Sequence, residues 1–255
     1  MNTFGSKLVV VLALLAVTGG VGVSPVAGQT PPSGPGAVPR KGLGPGDKGQ
    51  QVRSLEDRLT ALHYNAGVVD DVYDASTASA VTAFQKVQNM ARTGRVTQDV
   101  SDALNTATPP GPLVAGGGPT RVEIDLSRQV LQLFQNDQLV LVLPVSSGSG
   151  KRYCANGHCG TAITPPGSYR ISRHIPGWYQ APLGRLYNPM YFMTRVGIAI
   201  HGFLTVPPQP ASHGCVRIPL FASDAFLAQV PDDTPVYVLD GVHPADPAPP
   251  PGTKT

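Results

Sequence analysis

The chain has 255 residues, 41% of them hydrophobic and 14% charged, with a formal net charge of +3. That length holds one large domain or two modest ones. The near-neutral charge and the lack of any Lys/Arg run exclude a basic nucleic-acid-binding stripe.

In chain order, the N-terminus reads as an export signal. One lysine in "MNTFGSK" precedes a ten-residue apolar core, Leu8 to Val17, and Val26-Ala27-Gly28 supplies the small residues of a cleavage site after Gly28. Residues 1–28 are therefore expected to be removed. An uncleaved anchor is the alternative, although the core is short for a membrane span. Either way the rest of the chain lies outside the membrane, in the cell envelope or beyond, and no later stretch is apolar enough to cross a bilayer. Residues 29–45, rich in Pro and Gly, read as a disordered tether.

From Gly46 the pattern becomes helical. Val52, Leu55, Leu59 and Leu62 form one apolar stripe. "HYNAGVVDDVYD" interrupts it as a loop, Asp74 can cap a second helix with Val81, Phe84 and Val87 on its stripe, and Thr97 can cap a short third helix ending at Leu104. Residues 46–105 thus predict a small three-helix bundle. "GDKGQQVRSLEDRL", "YNAGVVD", "TASAVTAFQ" and "TGRVTQDVSDAL" resemble the three-helix bacterial peptidoglycan-binding domain. Asp71 stands where that family commonly has Gly. A bundle without a ligand is the plainer alternative, because Val and Leu at helical spacing are first of all core.

Residues 106–118 read as a second Pro/Gly linker, and after it the period changes to two. Val122, Ile124 and Leu126 alternate with Arg121, Glu123 and Asp125, as in a half-buried strand. "QVLQLFQ" and "LVLVLPV" flank Asn136-Asp137 and predict a hairpin. "GSYRISR", "VGIAIHG" and "TPVYVLD" are further strands, and Ser223–Gln229 is a short helix. Residues 119–240 therefore predict a mainly β, sandwich-like domain. Residues 241–255 read as a disordered tail.

The chemistry concentrates in "HGFLTVPPQPASHGCVRIP", His201 to Pro219. A cysteine is a nucleophile only as thiolate and needs a base beside it. His201 ends a strand, and a loop of thirteen residues returns the chain to Cys215. Gly214 permits a tight turn that aims the Cys215 N–H at a developing oxyanion. Arg217 offers a planar fork for a substrate carboxylate. A lone Cys is more often core, and a lone His more often structural; the set of four is what suggests acyl transfer.

These residues, with "PVSSG" (Pro144–Gly148) and "TPPGSY" (Thr164–Tyr169), resemble the L,D-transpeptidase catalytic domain of the YkuD type. The resemblance implies a β-sandwich with Cys215 as nucleophile on a loop and His201 as its base. It further implies that the Gly202 carbonyl orients the imidazole, that Ser212, His213 and Gly214 shape the pocket and oxyanion region, and that Arg217 contacts the donor stem. The expected reaction is 3→3 crosslinking of peptidoglycan stem peptides through a Cys215 thioester with loss of D-alanine. Acylation of Cys215 by carbapenems is expected on the same ground. Two departures stand out: a short, three-proline stretch between His201 and Ser212, and an unmatched "YCANGHCG".

Cys154 and Cys159 are close enough for a small-loop disulfide in an oxidising compartment, which would leave Cys215 as the free thiol. A metal site with His158 lacks a fourth ligand. An L,D-carboxypeptidase using the same cysteine, a non-catalytic wall-binding protein, and a zinc hydrolase using His201, His213 and Cys215 are the other readings. The leading one calls for no cofactor and no metal, a monomer, and peptidoglycan as the partner.

Overall fold

The computed structural model describes residues 42–241 except Asn156. The expected signal segment, most of the first tether and the tail beyond Gly241 lie outside the described residues. Among the described residues, no helix is long and apolar enough to cross a membrane.

Three helices form where the apolar stripes predict them: α1 (Gln50–Ala61), α2 (Ala75–Val87) and α3 (Gln98–Thr106). Val52, Leu55, Leu59, Val81 and Phe84 are all fully buried. Each is worth about 1.5–3 kcal/mol by burial for the larger side chains. Asp74 caps α2, its Oδ1 accepting from the amides of Ser76 at 2.7 Å and Thr77 at 3.0 Å. Thr97 Oγ1 accepts from the Val100 amide and caps α3. Buried Glu56 fastens the intervening loop: its Oε2 accepts from the amides of Asp70 and Asp71, and its Oε1 from Thr77 Oγ1. Asp71 has a φ of +67°, a conformation that glycine adopts freely and Asp tolerates. The bundle begins earlier than expected. Leu43, assigned from sequence to the tether, is buried and pairs with Val96.

The rest is mainly β. Strands β1 (Arg121–Asp125), β2 (Val130–Gln135), β3 (Gln138–Pro144), β6 (Gly167–Arg170) and β12 (Pro235–Leu239) make one sheet in the order β3-β2-β1-β12-β6. Strands β7 (Arg173–His174), β9 (Gly184–Met193), β10 (Ile198–Phe203) and β11 (Val216–Pro219) make the second, in the order β11-β10-β9-β7, with β8 (Trp178–Ala181) also on β9. Strands β4 (Arg152–Ala155) and β5 (His158–Thr161) form a separate hairpin, and helix α4 (Leu220–Gln229) follows β11. Two strand pairs are parallel, β1–β12 and β10–β11. The core between the sheets joins Val122, Ile124 and Leu131 to Phe192, Ile200 and Val216. The predicted hairpin turns at Asn136 and Asp137, with φ of +50° and +60°, the left-handed pair that a two-residue turn demands.

Strand β1 departs from the half-buried expectation, since Arg121, Glu123 and Asp125 are buried as fully as the alternate residues. The 106–118 segment covers its second face. The Leu113 amide donates to Glu123 Oε2 at 2.6 Å, Arg121 bridges to Glu123 at 2.7 Å, and Gln132 donates to the Gly111 carbonyl. The linker is thus laid along the sheet.

The bundle also packs directly on that sheet. Val130 and Val142 belong to the bundle's core cluster, and the Val142 amide donates to the His63 carbonyl at 2.8 Å. Lys86 on α2 is fully buried, and its Nζ donates to the carbonyls of Gln129 at 3.0 Å and Val145 at 2.8 Å. Burial, with Arg92 nearby, lowers its pKa from 10.5 to about 7. Between those values the unfolded chain binds a proton that the folded one does not, so stability rises with pH. The slope from this group is about 1.4 kcal/mol per pH unit. Urea denaturation between pH 7.5 and 9 is expected to show that rise, and Lys86→Met to lose it.

Candidate active site

The parallel pairing of β10 and β11 builds the site. Ile200 stands opposite Val216, and His201 opposite Arg217. Ile200, Val216 and Ile218 face the core and are fully buried. Alternation therefore sends His201, Arg217 and Cys215, the residue before β11, to the other face. Cys215 sits diagonally across from His201, a spacing that side chains can close. All three line a cavity of about 510 Å³.

His201 is almost wholly buried, at 2% exposure. Its Nδ1 lies 2.9 Å from the Gly202 carbonyl. A carbonyl only accepts, so Nδ1 carries the hydrogen and Nε2 is left as the lone pair of a neutral ring. Burial lowers the His201 pKa from 6.5 to about 4, and Arg217 pushes in the same direction. The Gly202 position tolerates no side chain, because a Cβ there would come within 2.7 Å of Ser223.

The Cys215 thiol is half-buried, with its Sγ 3.6 Å from the Gly197 carbonyl. Burial raises its pKa, against lowering by an Ala199 backbone hydrogen bond and by Arg217. Both members of the pair are therefore neutral at rest.

The turn before Cys215 is braced by hydrogen bonds. Ser212 Oγ donates to the Cys215 carbonyl at 2.5 Å and accepts from the Gly214 amide at 3.0 Å. The Gly214 amide is thus already occupied. Thr164 Oγ1 donates to the Gly214 carbonyl at 2.6 Å and accepts from the Gly148 amide. The Ser212 amide donates to the Ser147 carbonyl, and Ser146 exchanges both backbone bonds with Arg217. The "PVSSG" and "TPPGSY" segments therefore support the turn from behind. Gly214 has a φ of +140°, and a Cβ there would meet the Ile163 carbonyl oxygen at 2.9 Å. Gly214→Ala is expected to cost about 1–3 kcal/mol in backbone strain. Turnover should fall more than the folded fraction does, measured by initial rates beside a thermal melt.

Arg217 stacks over Phe203, 4.4 Å from the ring centroid, and its buried Nε has no hydrogen-bond partner among the described residues. Arg185 and Arg195 also line the cavity, which has no Asp or Glu in its lining. His213 is exposed, with Tyr153 packed edge-on at 4.7 Å between ring centroids. The sequence left "YCANGHCG" unmapped. It is the β4–β5 hairpin, bridged by the Cys154–Cys159 disulfide, and it delivers Tyr153 to the cavity wall. Neither Tyr153 nor the two further arginines carried a sequence signal: Tyr153 and Arg185 come from the β4–β5 and β8–β9 hairpins, and Arg195 from the turn that leads into β10. Among the described residues, no three His, Cys, Asp or Glu side chains cluster as metal ligands.

Residues 119–238 match the family model of the L,D-transpeptidase catalytic domain, YkuD, and residues 48–104 that of a putative peptidoglycan-binding domain. The crystal structure of an L,D-transpeptidase (residues 123–326) from Xylanimonas cellulosilytica DSM 15894 is 33% identical, over 77% of this chain and 97% of that one, with a TM-score of 0.70. The chain belongs to the L,D-transpeptidase family. An L,D-transpeptidase (Yku) from Stackebrandtia nassauensis is 20% identical over 76% of this chain and 93% of that one, with a TM-score of 0.44. One from Mycobacterium tuberculosis H37Rv is 16% identical over 48% and 58%, with a TM-score of 0.41. No curated protein matches significantly. In this chain the "SHGC" turn and the His201 strand fall inside the catalytic match, and helices α1 to α3 fall within or overlap the peptidoglycan-binding match.

Proposed function

We propose that the chain is an exported L,D-transpeptidase that joins peptidoglycan stem peptides through a thioester on Cys215. The observation that carries this is the neutral Cys215–His201 pair on one face of β10 and β11, open to a cavity with three arginines. His201 Nε2 takes the thiol proton as Sγ attacks the carbonyl carbon of the third stem residue. The oxyanion forms beside the Cys215 N–H. As the tetrahedral intermediate collapses, the C–N bond to D-alanine breaks and His201 returns the proton to the leaving amine. A side-chain amine from a second stem then attacks the thioester carbonyl. His201 accepts its proton, and the thiol is restored. The unpartnered Arg217 Nε suits a donor carboxylate, and the bundle supplies affinity for the polymer.

Incubation with tetrapeptide muropeptides, read by mass spectrometry, tests this reading. A crosslinked dimer with loss of D-alanine is the expected product. Tripeptide alone would make water the acceptor and the protein an L,D-carboxypeptidase. Wall binding without either product would leave a non-catalytic wall protein.

A further inference from the structure

A second and larger cavity, about 760 Å³, runs between the bundle and the β domain. Ala78, Ser79 and Thr82 of α2 form one wall; Trp178, Leu204 and Phe221 stand on the other. These three are exposed large hydrophobics, at 44%, 77% and 43%. Trp178 and Tyr187 pack with ring centroids 5.1 Å apart and planes tilted by 54°, giving an angled aromatic wall. Beside it, Asp224 Oδ1 accepts from Tyr187 Oη at 2.9 Å and from Asn188 at 2.7 Å. Its Oδ2 has no partner among the described residues. Flat apolar rings alternating with hydroxyls and one carboxylate suit a ligand with apolar faces and hydroxyl edges, which is a sugar ring.

The groove adjoins the thiol cavity, with Phe203 as the wall that lines both. Its walls are held in register from both sides. Lys86 pins the bundle to Gln129 and Val145, and Arg92 donates to the Pro208 carbonyl at 2.9 Å, in the loop that carries Leu204. The distance also fits. If a stem's third residue is at Cys215, two residues and a lactyl link separate it from its sugar, about 10–14 Å when extended. A glycan attached to a bound donor must then lie next to the thiol cavity, and the groove begins there.

We infer that the groove between the bundle and the β domain binds the glycan strand of the donor, with Trp178, Phe221 and Leu204 as its contact surface. This rests on the proposed reaction. The site adds binding energy from a part of the substrate remote from the chemistry.

Trp178 is the only tryptophan, so its emission reports on the groove. Titration of Cys215→Ala protein measures binding without turnover, using a free tetrapeptide stem and the same stem on its N-acetylglucosaminyl–N-acetylmuramyl disaccharide. The disaccharide form is expected to bind about tenfold tighter and to shift Trp178 emission. Phe221→Ala and Leu204→Ser should each bring the two affinities within about twofold of one another. Gln138→Ala, exposed at the start of β3 and away from both cavities, should leave the difference intact. Equal affinities in the parent protein, or a difference that survives both variants, would overturn the inference. So would a disaccharide preference that emerges only after residues 29–41 are deleted, which would make the chain's own segment the occupant. Cys215 acylation is scored separately on the unsubstituted protein, so a failed reaction and a failed groove are distinguishable.

Discussion

Cys215→Ala is expected to remove all acyl-enzyme and to lower turnover by at least about 10⁴-fold. Its fold should survive, because the side chain is half-buried and the turn is held by other atoms. Ser212, Thr164 and the Ser146–Arg217 backbone pair brace residues 212–217 without the sulfur. The variant should keep the thermal midpoint within a few degrees and still bind donor stems. Parallel loss of stability and activity would mean instead that the thiol is a packing residue. Turnover rates and melting curves on the same preparation separate the two.

His201→Gln is expected to lower the acylation rate by about 10²–10⁴-fold while leaving donor affinity nearly unchanged. The pH profile gives a sharper test. With a His201 pKa of about 4, the base is already unprotonated at neutral pH, so acylation should hold from pH 7 to about 5 and fall near pH 4. The raised thiol pKa means that little thiolate exists at neutral pH, so iodoacetamide should label Cys215 slowly and faster as pH rises. His201 also links stability to pH. Its folded pKa is depressed, so between about 4 and 6.5 the unfolded chain holds a proton that the folded chain does not. Stability should fall as pH drops through that window, by up to about 3 kcal/mol. The glutamine variant should lose that dependence. An acid limb near pH 6.5 would contradict the buried, neutral imidazole.

Local signals were the readable ones. The α1 and α2 stripes, the Asp74 and Thr97 caps and the Asn136-Asp137 turn each depend on neighbours a few residues away, and all appear in the fold. The β1 alternation misled because its second face is covered by a segment that has no pattern of its own. Arg121 and Glu123 look like surface residues until Leu113 and Gly118 close over them. Lys86 is a similar case. Nothing in "AFQKVQ" marks it as buried, since its partners are carbonyls 43 and 59 residues away.

The candidate site divides in the same way. The strand end at His201 and the loop returning to "SHGCVR" are legible from spacing and chemistry, whereas β11 and its parallel pairing with β10 carry no signal of their own. Nor are the cavity walls legible. Tyr153 arrives on a disulfide-bridged hairpin and Arg185 at the start of β9, paired with Gln180 of β8, so their place depends on the whole sandwich. Residues 106–118 read as a linker between the bundle and the β domain. Docked through Lys86 and Arg92, the bundle instead shares a core with the β domain and helps to hold the loop before Cys215.

The central claim is a thioester on Cys215, and intact-protein mass spectrometry of the enzyme quenched in acid during turnover tests it most directly. The account predicts an adduct equal to the donor stem minus D-alanine, located on the peptide containing Cys215, released by hydroxylamine and absent in His201→Gln at the same early time. Donor consumed with no adduct under any quench, or an adduct on another residue, would contradict it.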